Sequence, residues 1–397
     1  MEQSVRSQAE TIPATVTELE VSVVIPCLNE EDAIARVVGE ARTALDLGGI
    51  VGEVVVVDNA SEDHSADLAR EAGARVVYEP RRGYGSAYLA GLEAAKGQYV
   101  LMADADGTYP LALAGQFVQK LRGGADMVIG SRFKGTIHPG AMPWTNRYIG
   151  NPVLTGMLNL LFRSGVSDAH CGMRAVRRDV LPSLQLSATG MEFASEMVIK
   201  AGKRRLQIEE IPVDYHPRIG ESKLSRLSDA WRHVRFMLVH SPTALFTVPG
   251  GLAAAVGLCA LIVLAALQGL GDPWTGVSVA AAMLAIVGVG AIQLGLFSRT
   301  YAVIYLGETD AWLEAGWRRL RLEHGLAASA ALFVTGLGIT AVSFFDNVKD
   351  PRVGILGLAL MAISLEVLFA SFFLSILGLS EHAILRRRER GGGRSMR

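Results

Sequence analysis

The chain changes its solvent preference near His240, and that change limits its architecture more than any other feature. Beyond it lie four apolar stretches, near 244–268, 276–304, 326–345 and 354–379. Each reaches the roughly 20 residues that a helix needs to cross a bilayer. Before it, short β-branched runs alternate with helical segments, the pattern of a parallel sheet built from right-handed βαβ units. The expected fold is an α/β, Rossmann-like domain, then an amphipathic interface helix, then a four-helix transmembrane domain. The expected boundaries are a polar disordered arm without a signal peptide at 1–20, the α/β domain at 21–224, the interface helix at 225–242, the spans at 243–380 and a basic tail at 381–397. A formal net charge of −1 argues against nucleic acid as a main partner. The three cysteines, Cys27, Cys171 and Cys259, lie far apart without metal spacing, which suits a reducing compartment.

In the first half, Val21 to Pro26 reads as a strand, and Asn29-Glu30-Glu31-Asp32 opens an amphipathic helix through Ile34, Val37, Val38, Ala41 and Leu45. Glu53 to Asp58 is a second strand, with Asp58 at its end; Ser61 or Asp63 then caps a helix. Ala74 to Tyr78 is a third strand and leads into the basic, Gly-rich turn Arg81-Arg82-Gly83-Tyr84-Gly85. The fourth strand, Tyr99 to Ala103, runs into Asp104-Ala105-Asp106-Gly107-Thr108-Tyr109-Pro110. Open α/β sheets bind ligands at the carboxyl ends of their strands. Two carboxylates one residue apart there suit a hard divalent cation that shares its shell with water and phosphates. The plainer alternative is a turn at Asp106-Gly107 beside a solvated Asp. Gly83 and Arg81 could cradle a phosphate, although neither a Walker loop nor a Rossmann fingerprint is present.

Ile25-Pro26…Asn29-Glu30, Val57-Asp58…Ser61-Glu62-Asp63, Asp104-Ala-Asp106 and Gly130-Ser-Arg132 follow one another as in family 2 glycosyltransferases of the GT-A fold. Asp168-Ala-His-Cys171-Gly172-Met-Arg174 and Arg218-Ile-Gly220-Glu-Ser222-Lys223 narrow the resemblance to polyprenyl-phosphate transferases, the dolichyl-phosphate glucose and mannose synthases. It covers about residues 20 to 240.

The resemblance implies that Pro26, Asn29, Glu30, Asp58, Arg81 and Gly83 bind the nucleotide donor. It implies that Asp104 and Asp106 hold Mg²⁺ or Mn²⁺ with the donor diphosphate. Asp104, Asp106 and Arg132 would carry catalysis, and Arg132, Arg174, Arg218, Ser222 and Lys223 would receive the acceptor phosphate. Two departures stand out: Asp58-Asn59 replaces the usual Asp-Asp, and Gly107-Thr108 replaces the Leu-Gln of mannose synthases. The latter, with Cys171-Gly172, favours UDP-glucose as donor, with GDP-mannose as the alternative. A phosphate monoester has its second pKa near about 6 and is already an anionic nucleophile at neutral pH. Such an acceptor needs positioning and charge rather than a general base.

Other residues carry two readings each. His170 and Cys171 are packing residues or a ligand pair, with packing preferred. Glu192 and Glu196 share a helix face and orient either a sugar or a cationic side chain. Leu154, Met157, Leu158 and Leu161 form either core or a stripe on lipid. Leu227, Trp231, Val234 and Leu238 form one face of the interface helix, with Arg226, Arg232 and Arg235 elsewhere. Arg318, Arg319, Arg321, Arg386–Arg388 and Arg390 place both termini and the α/β half in the cytoplasm by the positive-inside rule. Gly- and Ala-rich span faces favour close packing, compatible with a homo-oligomer. Glu366, in the middle of the fourth span, marks a route for the lipid phosphate or, preferred because a carboxylate repels a phosphate, makes a structural hydrogen bond or a subunit contact. A processive polysaccharide synthase is disfavoured because Gln-x-x-Arg-Trp is absent, and a non-catalytic membrane scaffold because Asp58, Asp104, Asp106, Arg132, Arg174 and Arg218 are all present.

Overall fold

A computed structural model of the protein describes residues 19–220, 226–267, 273–306, 313, 322–345 and 350–392. Ser222, Lys223, Arg318, Arg319, Arg321 and the arm up to residue 18 therefore lie outside the described residues. The chain divides into two units, Met1–Met237 and Leu238–Arg397.

The first unit holds a seven-stranded mixed sheet of β1 (Val21–Cys27), β2 (Gly52–Asp58), β3 (Arg75–Tyr78), β4 (Tyr99–Met102), β5 (Met127–Ser131), β6 (Arg174–Arg177) and β7 (Ile208–Pro212). Their order is β3-β2-β1-β4-β6-β5-β7. The strands β3, β2, β1 and β4 run parallel, as the alternating pattern predicts, while β6 is antiparallel to both β4 and β5. Val54 to Val57 are all buried, which is why the central strands are continuous apolar runs. Cys27 stands opposite Asp58 and Val24 opposite Met102, so the ends of β1, β2 and β4 open on one edge.

Eight helices accompany the sheet: α1 (Ile34–Leu47), α2 (Ser65–Glu71), α3 (Tyr84–Ala94), α4 (Ala114–Arg122), α5 (Asn151–Phe162), α6 (Leu181–Leu184), α7 (Phe193–Lys203) and α8 (Arg226–Val239). The helix α1 buries Ile34, Val37, Val38, Ala41, Ala44 and Leu45 at helical spacing. Its first turn contains no acidic residue: Glu30, Glu31 and Asp32 lie ahead of it, not inside it as expected. Leu154 and Leu158 of α5 enter the core with Met157 and Leu161 packed beside them. Val153 and Leu160 on its other side are exposed, as are Trp144, Tyr148 and Ile149 just before it. The helix α8 packs on the core through His233 and Met237, with Val234 and Phe236 beside them, while Trp231 is exposed.

The second unit contains α9 (Val248–Ala266), α10 (Pro273–Leu306), α11 (Leu322–Phe345) and α12 (Pro351–Gly392). They supply four helical stretches long and apolar enough to cross a membrane: Thr243–Ala266, Trp274–Ile304, Leu322–Phe344 and Pro351–Leu377. Small residues set the packing of α9 on α10. A Cβ added to Gly257 would lie 2.5 Å from the backbone N of Ala285, and one added to Gly288 would lie 2.3 Å from that of Ala254. The helix α12 runs unbroken past residue 380, where a separate tail was expected. Glu366 faces Gly290, and its Oε2 is buried without a hydrogen-bond partner among the described residues.

In the first unit, Gly91 lets α3 lie directly on the sheet: an added Cβ would meet Val24 Cγ1 at 2.3 Å and Val57 Cγ2 at 2.9 Å. Gly91→Val should cost about 1–3 kcal/mol by overpacking. Gly39→Ala, with nothing within 4 Å of its new methyl, should be neutral or stabilising by about 0.5–1 kcal/mol. Thermal unfolding of the two purified variants checks both signs.

Candidate active site

The loops that follow β1 and β2 are zipped together by reciprocal bonds. Asn29, with φ of 50°, donates its backbone N–H to Ser61 Oγ at 3.0 Å, and Glu62 N–H donates to Asn29 Oδ1 at 2.7 Å. Glu30 N–H donates to Ser65 Oγ at 2.8 Å. Asp58 is buried and accepts Ser61 N–H at 3.0 Å. Ser61 thus holds the neighbouring loop, while Asp63 accepts the N–H of Ser65 at the start of α2. Pro26, half-buried near the end of β1, pairs opposite Val57.

The Asp-x-Asp pair lies on the same edge. Asp104 Oδ1 accepts the hydroxyls of Tyr84 at 3.0 Å and Tyr88 at 3.4 Å, both from one face of α3. Asp104 Oδ2 lies against Gly172, where a Cβ would sit 2.2 Å away. Asp106 Oδ1 accepts both the N–H and the hydroxyl of Thr108, at 3.1 and 2.7 Å. Arg218 Nη2 lies 3.1 Å from Glu30 Oε1 and 3.6 Å from Asp106 Oδ2, so it links the β1 loop to the acid pair. Its Nε is buried without a partner among the described residues. Burial first, and then the charge of Asp106, push the Asp104 carboxyl up to about 6. Two acids whose repulsion raises one of them form a site that a cation would relieve. No cluster of three or more His, Cys, Asp or Glu suited to a metal exists among the described residues, so the chain itself offers these two carboxylates.

Other expected site residues are committed elsewhere. Arg132 is buried and grips Asp168 with two bonds, Nε to Oδ2 at 2.7 Å and Nη2 to Oδ1 at 2.8 Å, with Tyr215 beneath its guanidinium. Arg174 is fully buried and donates to the carbonyls of Cys171 and Ala194, at 2.6 and 3.0 Å, so it does not line a cleft as a free cation. Arg81 pairs with Glu79 through Nε at 2.8 Å and Arg82 pairs with Glu62. The expected phosphate cradle also changes meaning. Gly83 N–H already donates to Asn59 Oδ1 at 2.7 Å. A Cβ on Gly83 would meet Thr189 O at 2.3 Å and one on Gly85 would meet Ala188 O at 2.1 Å. These glycines admit a neighbouring protein loop at close range.

Asn59, one of the two departures, has a structural reason. Its side-chain amide donates to the carbonyls of Glu79 and Arg81, at 3.0 and 2.8 Å, and an Asp could do neither. Glu196 is buried and accepts Ser187 N–H, Ala188 N–H and Lys200 Nζ, so its partner is a cation. Glu192 stands at the start of α7 with one carboxylate oxygen buried and unpartnered. Cys171 is buried, as packing predicts. Tyr84 and Tyr88 belong to the site and were not among the expected residues, and Thr108, Gly172 and Asp168, named there only within motifs, join it through Asp106, Asp104 and Arg132. The spacing of Tyr84 and Tyr88, four apart on a helix, was the available signal.

Gly172 generates a prediction. Gly172→Ala drives a methyl into Asp104 Oδ2. A displacement of the carboxylate by about 1 Å should lower the rate of sugar transfer by about 10²-fold. The folded fraction, followed by circular dichroism, should stay unchanged.

Comparison with known proteins bears on this geometry. The model for glycosyl transferase family 2 matches residues 22–184, and that for the glycosyltransferase family 2 C-terminal transmembrane region matches residues 296–378. The low-salt glycan biosynthesis hexosyltransferase Agl6 of Haloferax volcanii is 39% identical over 376 residues, covering 90% of this chain and 89% of that protein. The dolichyl-phosphate hexose transferase of the same organism is 34% identical, covering 52% of this chain and 86% of that protein. The undecaprenyl-phosphate 4-deoxy-4-formamido-L-arabinose transferase of Edwardsiella ictaluri is 30% identical, covering 72% and 89%. Among solved structures, glucosyl-3-phosphoglycerate synthase from Mycobacterium tuberculosis with Mg²⁺ and UDP is 23% identical, with a TM-score of 0.46, covering 56% of this chain and 79% of that one. The sheet order, the strand-end acids, the four apolar helices and the full-length match to Agl6 together make this chain a multi-pass membrane glycosyltransferase of family 2, with a GT-A catalytic domain.

Proposed function

We propose that the enzyme moves a hexose from a nucleotide sugar, UDP-glucose before GDP-mannose, to a polyprenyl phosphate at the cytoplasmic face of the membrane. One observation carries the reading: Arg218 bridges Glu30 and Asp106 while keeping a buried N–H that has no partner among the described residues, which is a ready donor to a phosphate oxygen. Relatives named for transfer to dolichyl phosphate and undecaprenyl phosphate support the lipid acceptor. The exposed Trp144, Tyr148, Ile149, Val153 and Leu160 support a domain that works beside lipid.

Asp58, Glu30, Asn29 and Pro26 would contact the nucleoside from the zipped loops. Asp104 and Asp106 would hold Mg²⁺ or Mn²⁺, and a bound cation supplies neutralisation of the departing diphosphate. Asp104 is oriented for this by Tyr84 and Tyr88, and Asp106 by Thr108. The acceptor phosphate is already anionic and needs no base, so the chain's task is to draw it in against repulsion. Arg218 is the guanidinium placed for that task. Arg132 would act through its ion pair with Asp168, and Ser222 and Lys223 would add to the same side. A single in-line displacement would then invert the anomeric centre and leave a β-linked lipid phosphate sugar. Thr108 stands where mannose synthases carry Gln, and its hydroxyl is turned onto Asp106.

The test is incubation of membranes holding the full chain with labelled UDP-glucose or GDP-mannose, a short polyprenyl phosphate and Mn²⁺. A chloroform-soluble product from UDP-glucose is expected. Product from GDP-mannose alone would reverse the donor choice, and no lipid product from any donor would end the reading. Asp106→Ala should lower product formation by about 10³-fold, and a chelator should do the same.

A further inference from the structure

The segment Asp168–Arg174 carries several anchors of the site. Asp168 grips Arg132, Gly172 leaves the space that Asp104 occupies, and Gly172 N–H donates to the Tyr109 hydroxyl at 2.8 Å. His170 lies inside this segment; its backbone N–H donates to Asp168 Oδ1 at 3.4 Å, and its ring takes part in none of these contacts. Its Nε2 instead sits 3.1 Å from Ser195 Oγ on α7, and the same hydroxyl sits 2.8 Å from His233 Nδ1 on α8. The two imidazoles meet edge to face with centroids 4.6 Å apart. Ser195 is 0% exposed and His233 7%. His170 Nδ1 is buried without a partner, so the Ser195 hydroxyl is the polar anchor of that ring among the described residues.

A hydroxyl has one proton to give and two lone pairs. Ser195 can therefore hold both rings, either accepting from each or accepting from one and donating to the other. In both arrangements the one hydroxyl ties the two imidazoles together. Burial first, then His233, Arg132 and Arg174, hold His170 well below the usual imidazole range, which keeps it neutral near pH 7. Arg174 Nη1 also donates to the carbonyl of Ala194, one residue before Ser195, so the segment meets α7 at two adjacent points.

We infer that His233, Ser195 and His170 are positioning residues for sugar transfer: α8 holds the Asp168–Arg174 segment through them, and so sets where Arg132 and Asp104 stand. None of the three touches the acid pair. They act through the segment, and a residue far along the chain on α8 thereby sets the turnover of a site at the end of β4. The inference rests on placing transfer at the Asp104–Asp106 edge.

The test uses the full chain in lipid nanodiscs, with kcat, the KM for each substrate and Tm measured for every variant. Ser195→Ala and His233→Ala should each lower kcat by about tenfold while both KM values stay within about twofold. The double variant should be no worse than either single one, because both break the same link. Asparagine can present a polar atom near the place of Nδ1 and glutamine near that of Nε2. His233→Asn and His170→Gln should therefore keep most of the turnover, and His233→Gln and His170→Asn should not. The relay is overturned if Ser195→Ala and His233→Ala lower Tm but leave kcat at the wild-type value, if their losses multiply, or if the four exchanges do not differ. Asp106→Ala in the same series separates the two ideas: should it keep full activity, transfer does not occur at this edge, and the site assignment falls instead.

Discussion

Two carboxylates held side by side at the end of a buried strand repel each other, and the rest of the catalytic domain is arranged around that repulsion. Leaving β4, the chain places Asp104 and Asp106 on an edge shared with Asp58 and the Glu30 loop. Partial burial raises the cost of charging Asp104, and Asp106 raises it further. Two tyrosine hydroxyls from α3 offset part of that cost at Asp104, and Thr108 and Arg218 do the same at Asp106. The small face of α3 brings the tyrosines within reach, because Gly91 lets the helix lie on Val24 and Val57. Packing beneath the sheet surface and electrostatics above it are therefore one construction.

The arginines are distributed unevenly. Arg132 is locked to Asp168, Arg174 to backbone carbonyls, Arg81 to Glu79 and Arg82 to Glu62. Arg218 alone of these five reaches the acid pair, at 3.6 Å from Asp106. Arg132 and Arg174, buried and fixed by two and four side-chain bonds, keep their geometry when substrate arrives, which is the preorganisation that charge stabilisation requires. The glycines follow the same logic. Gly172 makes room for a carboxylate, whereas Gly83 and Gly85 make room for the Ala188–Thr189 backbone.

Much of this was legible in the residues alone. Val54 to Val57 and Tyr99 to Met102 announce buried strands by composition, and their order with the intervening helices gives the parallel half of the sheet. The antiparallel β6 was not legible, since its four residues include two arginines and carry no alternation. Asp58, Asp104 and Asp106 were found because carboxylates at strand ends are conspicuous. The assignment of free cations failed for a general reason: a sequence shows that an arginine exists, not which acid has already claimed it. Arg132 and Asp168 are 36 positions apart, and no local pattern joins them. Asn59 looked like a missing acid until its two donated bonds gave it a use that only an amide can fill. The helix α8 was read by its Trp and Arg residues, but the face that packs on the core is defined by His233 and Met237.

Manganese binding to the full chain, followed by electron paramagnetic resonance in the presence of UDP, tests the acid pair most directly. A proton and a cation compete for Asp104, so affinity should rise about tenfold per pH unit up to about 6 and level off above it. Asp104→Asn should abolish both the binding and its pH dependence. Equal affinity in wild type and Asp104→Asn, or affinity indifferent to pH between 5 and 7, would contradict the account.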